Sequence, residues 1–101
     1  MSLAHPLATI LVAQVAQDGI AKYGKRNWEE YAKDWNWCQL YDSADRHLKR
    51  WLLRQDMDPS GRLHLAHAAW NIMALLELTE RGLGIDDRTL LPTDVDKYFP
   101  E

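Results

Sequence analysis

The run "LHLAHAAWNIMALLELTE", residues 63–80, constrains the fold more than any other stretch, because it is apolar nearly all the way round a 3.6-residue period. The pattern predicts a helix from about residue 61 to 81, buried on most of its sides. Gly82 and Gly84 follow it, as residues that tolerate the left-handed conformation closing a helix.

Two more helical patterns precede it. From Pro6 to Tyr23, Ala8, Leu11, Val12, Val15, Gly19 and Tyr23 form a stripe that begins at a first-turn proline. From about residue 36 to 54, Trp37, Leu40, Tyr41, Ala44, Leu48, Trp51 and Leu52 follow the i, i+3, i+4, i+7 rule, opposite a face with Asp42, Arg46, Lys49 and Arg50. Between these two helices "KYGKRNWEEYAKDWNW" is aromatic, charged and weakly periodic, which predicts an irregular connection with a short helical turn around residues 28–33. Asp58-Pro59-Ser60-Gly61 is turn chemistry, with Ser60 or Asp58 available to cap the third helix. The tail predicts a short helix over "TDVDKYF" capped by Thr93, anchored by Leu90, Leu91, Val95, Tyr98 and Phe99. No convincing strand pattern occurs, so the expected fold is all-α: three main helices (about 6–23, 36–54 and 61–81) in hairpin packing, with a short C-terminal extension.

A chain of 101 residues predicts one domain, and at 47% hydrophobic with five Trp it can bury a core. Short helices carrying this much apolar surface predict a homodimer or larger homo-oligomer. The net charge of −3 argues against nucleic acid as a partner. The segment from Leu7 to Ala16 is interrupted by Thr9 and Gln14 and lacks a basic flank, which predicts neither a signal peptide nor a membrane span. The single cysteine, Cys38, excludes an intrachain disulfide, agrees with a reducing cytoplasm and reads as a buried structural thiol.

Against this apolar background one polar stripe stands out. His64, His67 and Asn71 fall at i, i+3 and i+7 on the most apolar helix, and each buried polar group without a partner costs roughly 1–3 kcal/mol. His47 sits at the edge of the preceding helix's apolar face, where antiparallel packing brings it toward the stripe. The intervening turn adds Asp56 and Asp58. Three imidazoles and two carboxylates around one turn suit a transition ion such as Mn²⁺ or Zn²⁺ better than Ca²⁺. The alternative is a set of hydrogen-bonded core histidines. "DMDPSG" copies the opening of a calcium-binding loop between helices, but the twelfth loop position holds His67 in place of the bidentate glutamate and the fourth holds Pro59, which argues against that site. Among the cations Lys22, Lys25, Arg26, Arg46, Lys49 and Arg50, Arg46 is favoured for phosphate because it precedes His47. Tyr23 and Trp28 are candidates to stack on a base.

The ordered blocks "KYGKRNW", "DSADRHLKRW" and "DMDPSGRLHLAHAAWNIMALLEL" resemble the phage dATP/dGTP diphosphohydrolase N-terminal family over residues 6–82, with a helical build similar to MazG-like nucleoside triphosphate pyrophosphohydrolases. The resemblance implies metal-dependent hydrolysis of a purine deoxynucleoside triphosphate to monophosphate and pyrophosphate in phage nucleotide metabolism, with Mg²⁺ or Mn²⁺, or Zn²⁺, as cofactor. It implies a cytoplasmic location in the host bacterium. Carried over residue by residue, it implies substrate-binding roles for Lys22, Tyr23, Arg26, Asn27, Trp28, Arg46 and Asn71. Catalytic roles fall to His47, His64, His67 and Asp58, and metal-binding roles to His47, Asp56, Asp58, His64 and His67. A departure is Arg54-Gln55, where the family pattern has Gly-Glu before the acidic turn. The lost carboxylate keeps a second reading open: a non-catalytic nucleotide- or protein-binding module with structural histidines.

Overall fold

The computed structural model describes residues 5–23, 30 and 32–99, Tyr23 by its backbone only. Among the described residues the helices in chain order are α1 (Pro6–Tyr23), α2 (Trp37–Leu52), α3 (His64–Arg81) and the short α4 (Asp94–Tyr98). No strand occurs among the described residues, and the fold is all-α. No described helix is long and apolar enough to cross a membrane. Residues 30 and 32 are helical, whereas the rest of the turn expected over 28–33 is partly outside the described residues.

α2 and α3 form the main hairpin, and α1 packs across α3. Ala32, Leu40, Ala74 and Leu78 make the central cluster, with Trp35, Trp70, Leu75 and Leu83 packed around it. The start of α2 is pinned from a distance by the chain that follows α3. The Trp37 N–H donates to the Ile85 carbonyl at 2.9 Å, its indole Nε1 to the Leu83 carbonyl at 2.8 Å, and the Cys38 N–H to Asp87 Oδ1 at 2.9 Å. Gly84 makes this crossing possible: a Cβ there would stand 2.9 Å from both the Trp35 carbonyl oxygen and Trp37 Nε1. Cys38 is only partly buried, and its thiol is pushed above its ordinary value by the hydrogen bond with Asp87 and then by burial.

Several expectations are corrected. α2 ends at Leu52, because Arg54 takes a left-handed φ of 67° and the Gln55 N–H closes the helix on the Arg50 carbonyl at 3.0 Å. α3 begins at His64 with Leu63 as N-cap and no capping side chain, so neither Ser60 nor Asp58 caps it. Residues 57–63 instead close a tight antiparallel turn through a Met57–Leu63 bridge. α2 buries Leu40, Ala44 and His47, leaving Tyr41, Leu48, Trp51 and Leu52 exposed. α3 is not buried on most sides, since Leu65, Ile72, Met73 and Leu76 are exposed. The tail's Leu90, Leu91, Val95, Tyr98 and Phe99 are exposed rather than anchoring, and Thr93 makes no side-chain cap to α4.

Candidate functional site

The hairpin brings the polar residues of α2 and α3 face to face beside the 57–63 turn. His47 is 8% exposed and His64 1%, and their Nδ1 atoms stand 2.8 Å apart, so one ring donates to the other. Two imidazolium rings cannot make that contact, because both nitrogens would be donors. His67 stacks on His47 with ring centroids 4.7 Å apart and planes 9° from parallel, and its Nε2 meets Ser60 Oγ at 2.9 Å. Asn71 donates through Nδ2 to the His67 carbonyl at 2.8 Å. Among the described residues no buried side-chain nitrogen or oxygen lacks a partner, so the stripe meets its requirement for hydrogen bonds within the chain.

The turn supplies the carboxylate. Asp58 Oδ2 accepts from the Ser60 N–H at 2.8 Å, while the Asp58 and Gly61 N–H groups donate to the Arg62 and Asp58 carbonyls at 2.8 and 2.9 Å. From this frame Asp58 reaches His64 Nδ1 and His67 Nε2, each at 3.8 Å. A clamp to α1 holds the turn: Arg62 donates through Nε and Nη2 to both Asp18 oxygens at 2.8 and 3.0 Å, and through Nη1 to Gln14 at 3.2 Å. Burial acts to raise the Asp58 carboxyl, but the Ser60 N–H and hydroxyl, with the nearby His67 and His47, outweigh it and hold its pKa below the ordinary value. For His47, burial leads and the rings of His67 and His64 add to it, lowering its pKa from 6.5 to about 4 against the opposing pull of Asp58. His47 is therefore a neutral imidazole at pH 7, the form that ligates metals.

His47, Asp58 and His64 each place one ligand atom within 4.8 Å of the others. Donors on one tetrahedral ion of bond length near 2.1 Å are about 3.4 Å apart, so the cluster could hold an ion once its three groups close in and the His47–His64 hydrogen bond opens. Two imidazoles and one carboxylate are the donor set of a transition ion. His67 sits beside this group, stacked on one member and held by Ser60. Asp56 stands outside it: exposed, it contributes its backbone carbonyl to the His64 N–H at 2.8 Å. Gln55 accepts a 3.0 Å hydrogen bond from Arg50 on the exposed surface.

Of His47, Asp58 and His64, His47 alone lines a cavity of about 560 Å³ between α1, α2 and α3. His47, Ser60, His67 and Asn71 line one part of it, and Lys22, Asp18 and Gly19 line it from α1. Val15, Trp35, Leu40 and Trp70 give it apolar walls, with Gln39 and Ser43 between them. Arg46 is exposed on α2 and does not line this cavity. The side chain of Tyr23 and all of Arg26, Asn27 and Trp28 lie outside the described residues. Sequence reading did not single out Asp18, Arg62, Gln39, Ser43, Trp35 or Trp70. Asp18 and Arg62 are 44 positions apart, and no local pattern links them.

Residues 1–88 match the protein family described as dATP/dGTP diphosphohydrolase, N-terminal. No curated protein and no solved structure matches the chain.

Proposed function

The chain belongs to the dATP/dGTP diphosphohydrolase N-terminal family, and from that premise we propose that it is a metal-dependent hydrolase that splits a purine deoxynucleoside triphosphate into monophosphate and pyrophosphate. The observation that carries this reading is the His47–Asp58–His64 cluster, of which His47 lines a 560 Å³ cavity together with Ser60, His67 and Asn71. Pockets of about 300–1,000 Å³ are the usual size for small-molecule ligands. A divalent ion bound there supplies charge to neutralise phosphate oxygens and favours deprotonation of water.

The chain's own residues do the rest. His47, Asp58 and His64 would hold the ion, with the His47–His64 hydrogen bond opened. His67, whose Nε2 meets the Ser60 hydroxyl at 2.9 Å, would exchange that contact for the attacking water and take its proton, as the resulting hydroxide joins one phosphorus and the bridging oxygen leaves on the other. Asn71 fixes the backbone of that turn of α3 through the His67 carbonyl. Lys22 brings positive charge to the cavity wall from α1, and Arg46, next to His47 on the exposed side, adds to the field that attracts the polyphosphate. The setting is phage or prophage nucleotide metabolism in the host cytoplasm. The bare apolar face of α3 suits a homodimer or larger assembly.

One observation favours capture without turnover: the cluster has a single carboxylate, and Gln55 is held outside it by Arg50. Incubating the protein with each deoxynucleoside triphosphate and Mg²⁺ or Mn²⁺, then resolving products, separates the two. Monophosphate plus pyrophosphate is expected from a purine substrate. Binding without products would leave capture standing, and no binding of nucleotide or metal would sink both.

A further inference from the structure

We infer that Gln39 is a specificity residue that donates hydrogen bonds to the purine base, so that the nucleotide lies along α2 with its phosphates at His47. This rests on the cavity being the nucleotide site. Gln39, Ser43 and His47 are spaced by four and all line the same cavity, so they form one face of α2 running along its length. With a rise of 1.5 Å per residue, Ser43 lies about 6 Å and Gln39 about 12 Å along the helix from His47. That is the reach of a purine nucleotide from its phosphate to the far edge of its base. The ends differ in chemistry as the ligand does: imidazoles and a carboxylate at one, and at the other an amide with the partly buried Trp35, a surface on which a base can stack.

The role of the amide follows from a hydrogen bond at the start of α2. The Asn36 N–H donates to Gln39 Oε1 at 3.3 Å. With the oxygen engaged by the backbone, the group that Gln39 offers the cavity is its NH₂, a donor. Purines present N7 as an acceptor, and guanine adds O6. A donor at this end therefore favours guanine over adenine, whose N6 is itself a donor, while the length of the face suits the larger purine.

Gln39→Glu separates base contact from helix capping. Glutamate at this position keeps the reach back to the Asn36 N–H, as in a capping box, while exchanging the NH₂ donors for a second acceptor. Calorimetry would compare wild type and Q39E binding α,β-methylene dGTP, which resists cleavage, and inorganic tripolyphosphate, both in Mg²⁺. The dGTP analogue should bind about tenfold or more weakly to Q39E, with tripolyphosphate changed less than about twofold. Gln39→Met, which has similar length and no donor, should show the same selective loss. Unchanged binding of the analogue would overturn the assignment. So would an equal loss for tripolyphosphate, since added negative charge would then be the whole effect. Failure of the wild-type protein to bind the analogue overturns both this assignment and the nucleotide site. An absence of hydrolysis with the selective loss intact removes only the turnover.

Discussion

The two faces of α3 make an instructive pair. Toward α2 and the cavity it presents His64, His67 and Asn71, with Ala74 and Leu78 continuing the same side into the core. Away from them it presents Leu65, Ile72, Met73 and Leu76 to solvent. Three polar residues are thus inside alongside Ala74 and Leu78, and four large apolar ones are outside, a departure from the usual surface helix. Burial of His64 and Asn71 is tolerated because each has a partner supplied by geometry: His47 for one and the His67 carbonyl for the other. The outer face has no such partner among the described residues. Exposed singly, such side chains are ordinary, but at i, i+7, i+8 and i+11 they form one stripe.

The inner face should break first. His64→Ala removes a ring that is 1% exposed and leaves His47 Nδ1 without its partner. It should destabilise the domain by about 2–4 kcal/mol in urea unfolding and lower hydrolysis and metal affinity at least about a hundredfold. An unaltered metal titration for this variant would show the histidine stripe to be structural.

Acid should undo the same face without mutation. His47 is lowered from 6.5 to about 4, so between those values the unfolded chain binds a proton that the native state refuses. Stability from this group is full above about pH 6.5 and declines as pH falls to about 4, by on the order of 3 kcal/mol. Asp58, lowered below its ordinary 3.8, adds a contribution that persists to more acid pH and is lost as pH falls through its folded value. Urea midpoints measured from pH 7.5 to 4 should fall along this course, and a flat profile across that window would contradict the burial of His47.

The outer face should respond least. Ile72→Gln or Leu76→Gln should change unfolding free energy at low protein concentration by less than about 0.5 kcal/mol, since both positions are exposed. The same variants should lower the mass seen by light scattering at high concentration wherever a second copy covers this stripe. A drop of 2 kcal/mol or more in the dilute chain, on the scale of a core truncation, would show that the face is covered within one molecule.

The elements were legible because their signals are local. The stripe from Pro6 to Tyr23 marks α1 at both ends, and Gly82 does end α3, with a φ of 68°. The misplaced ends have local causes that composition hid. Arg54 adopts a left-handed turn that normally calls for glycine, so α2 stops earlier, and the Met57–Leu63 bridge delays α3 to His64. The polar stripe His64, His67 and Asn71 was visible from spacing alone, and so was its need for partners. Its partners were less so: Ser60 looked like a helix cap and serves His67 instead.

What the sequence by itself determined is the all-α build, the approximate helices, the polar stripe and the ordered blocks that place the chain in its family. Helical hydrogen bonds and same-face spacing join residues three or four apart, so a one-dimensional pattern carries them. Tertiary structure alone decided which side of α3 is covered, the 2.8 Å His47–His64 contact, and the Arg62–Asp18 clamp behind Asp58. Those depend on how helices dock and turns close between residues 17 and 44 positions apart. Period and composition are the same whichever face of an all-apolar helix is buried; only packing against α1 and α2 selects one.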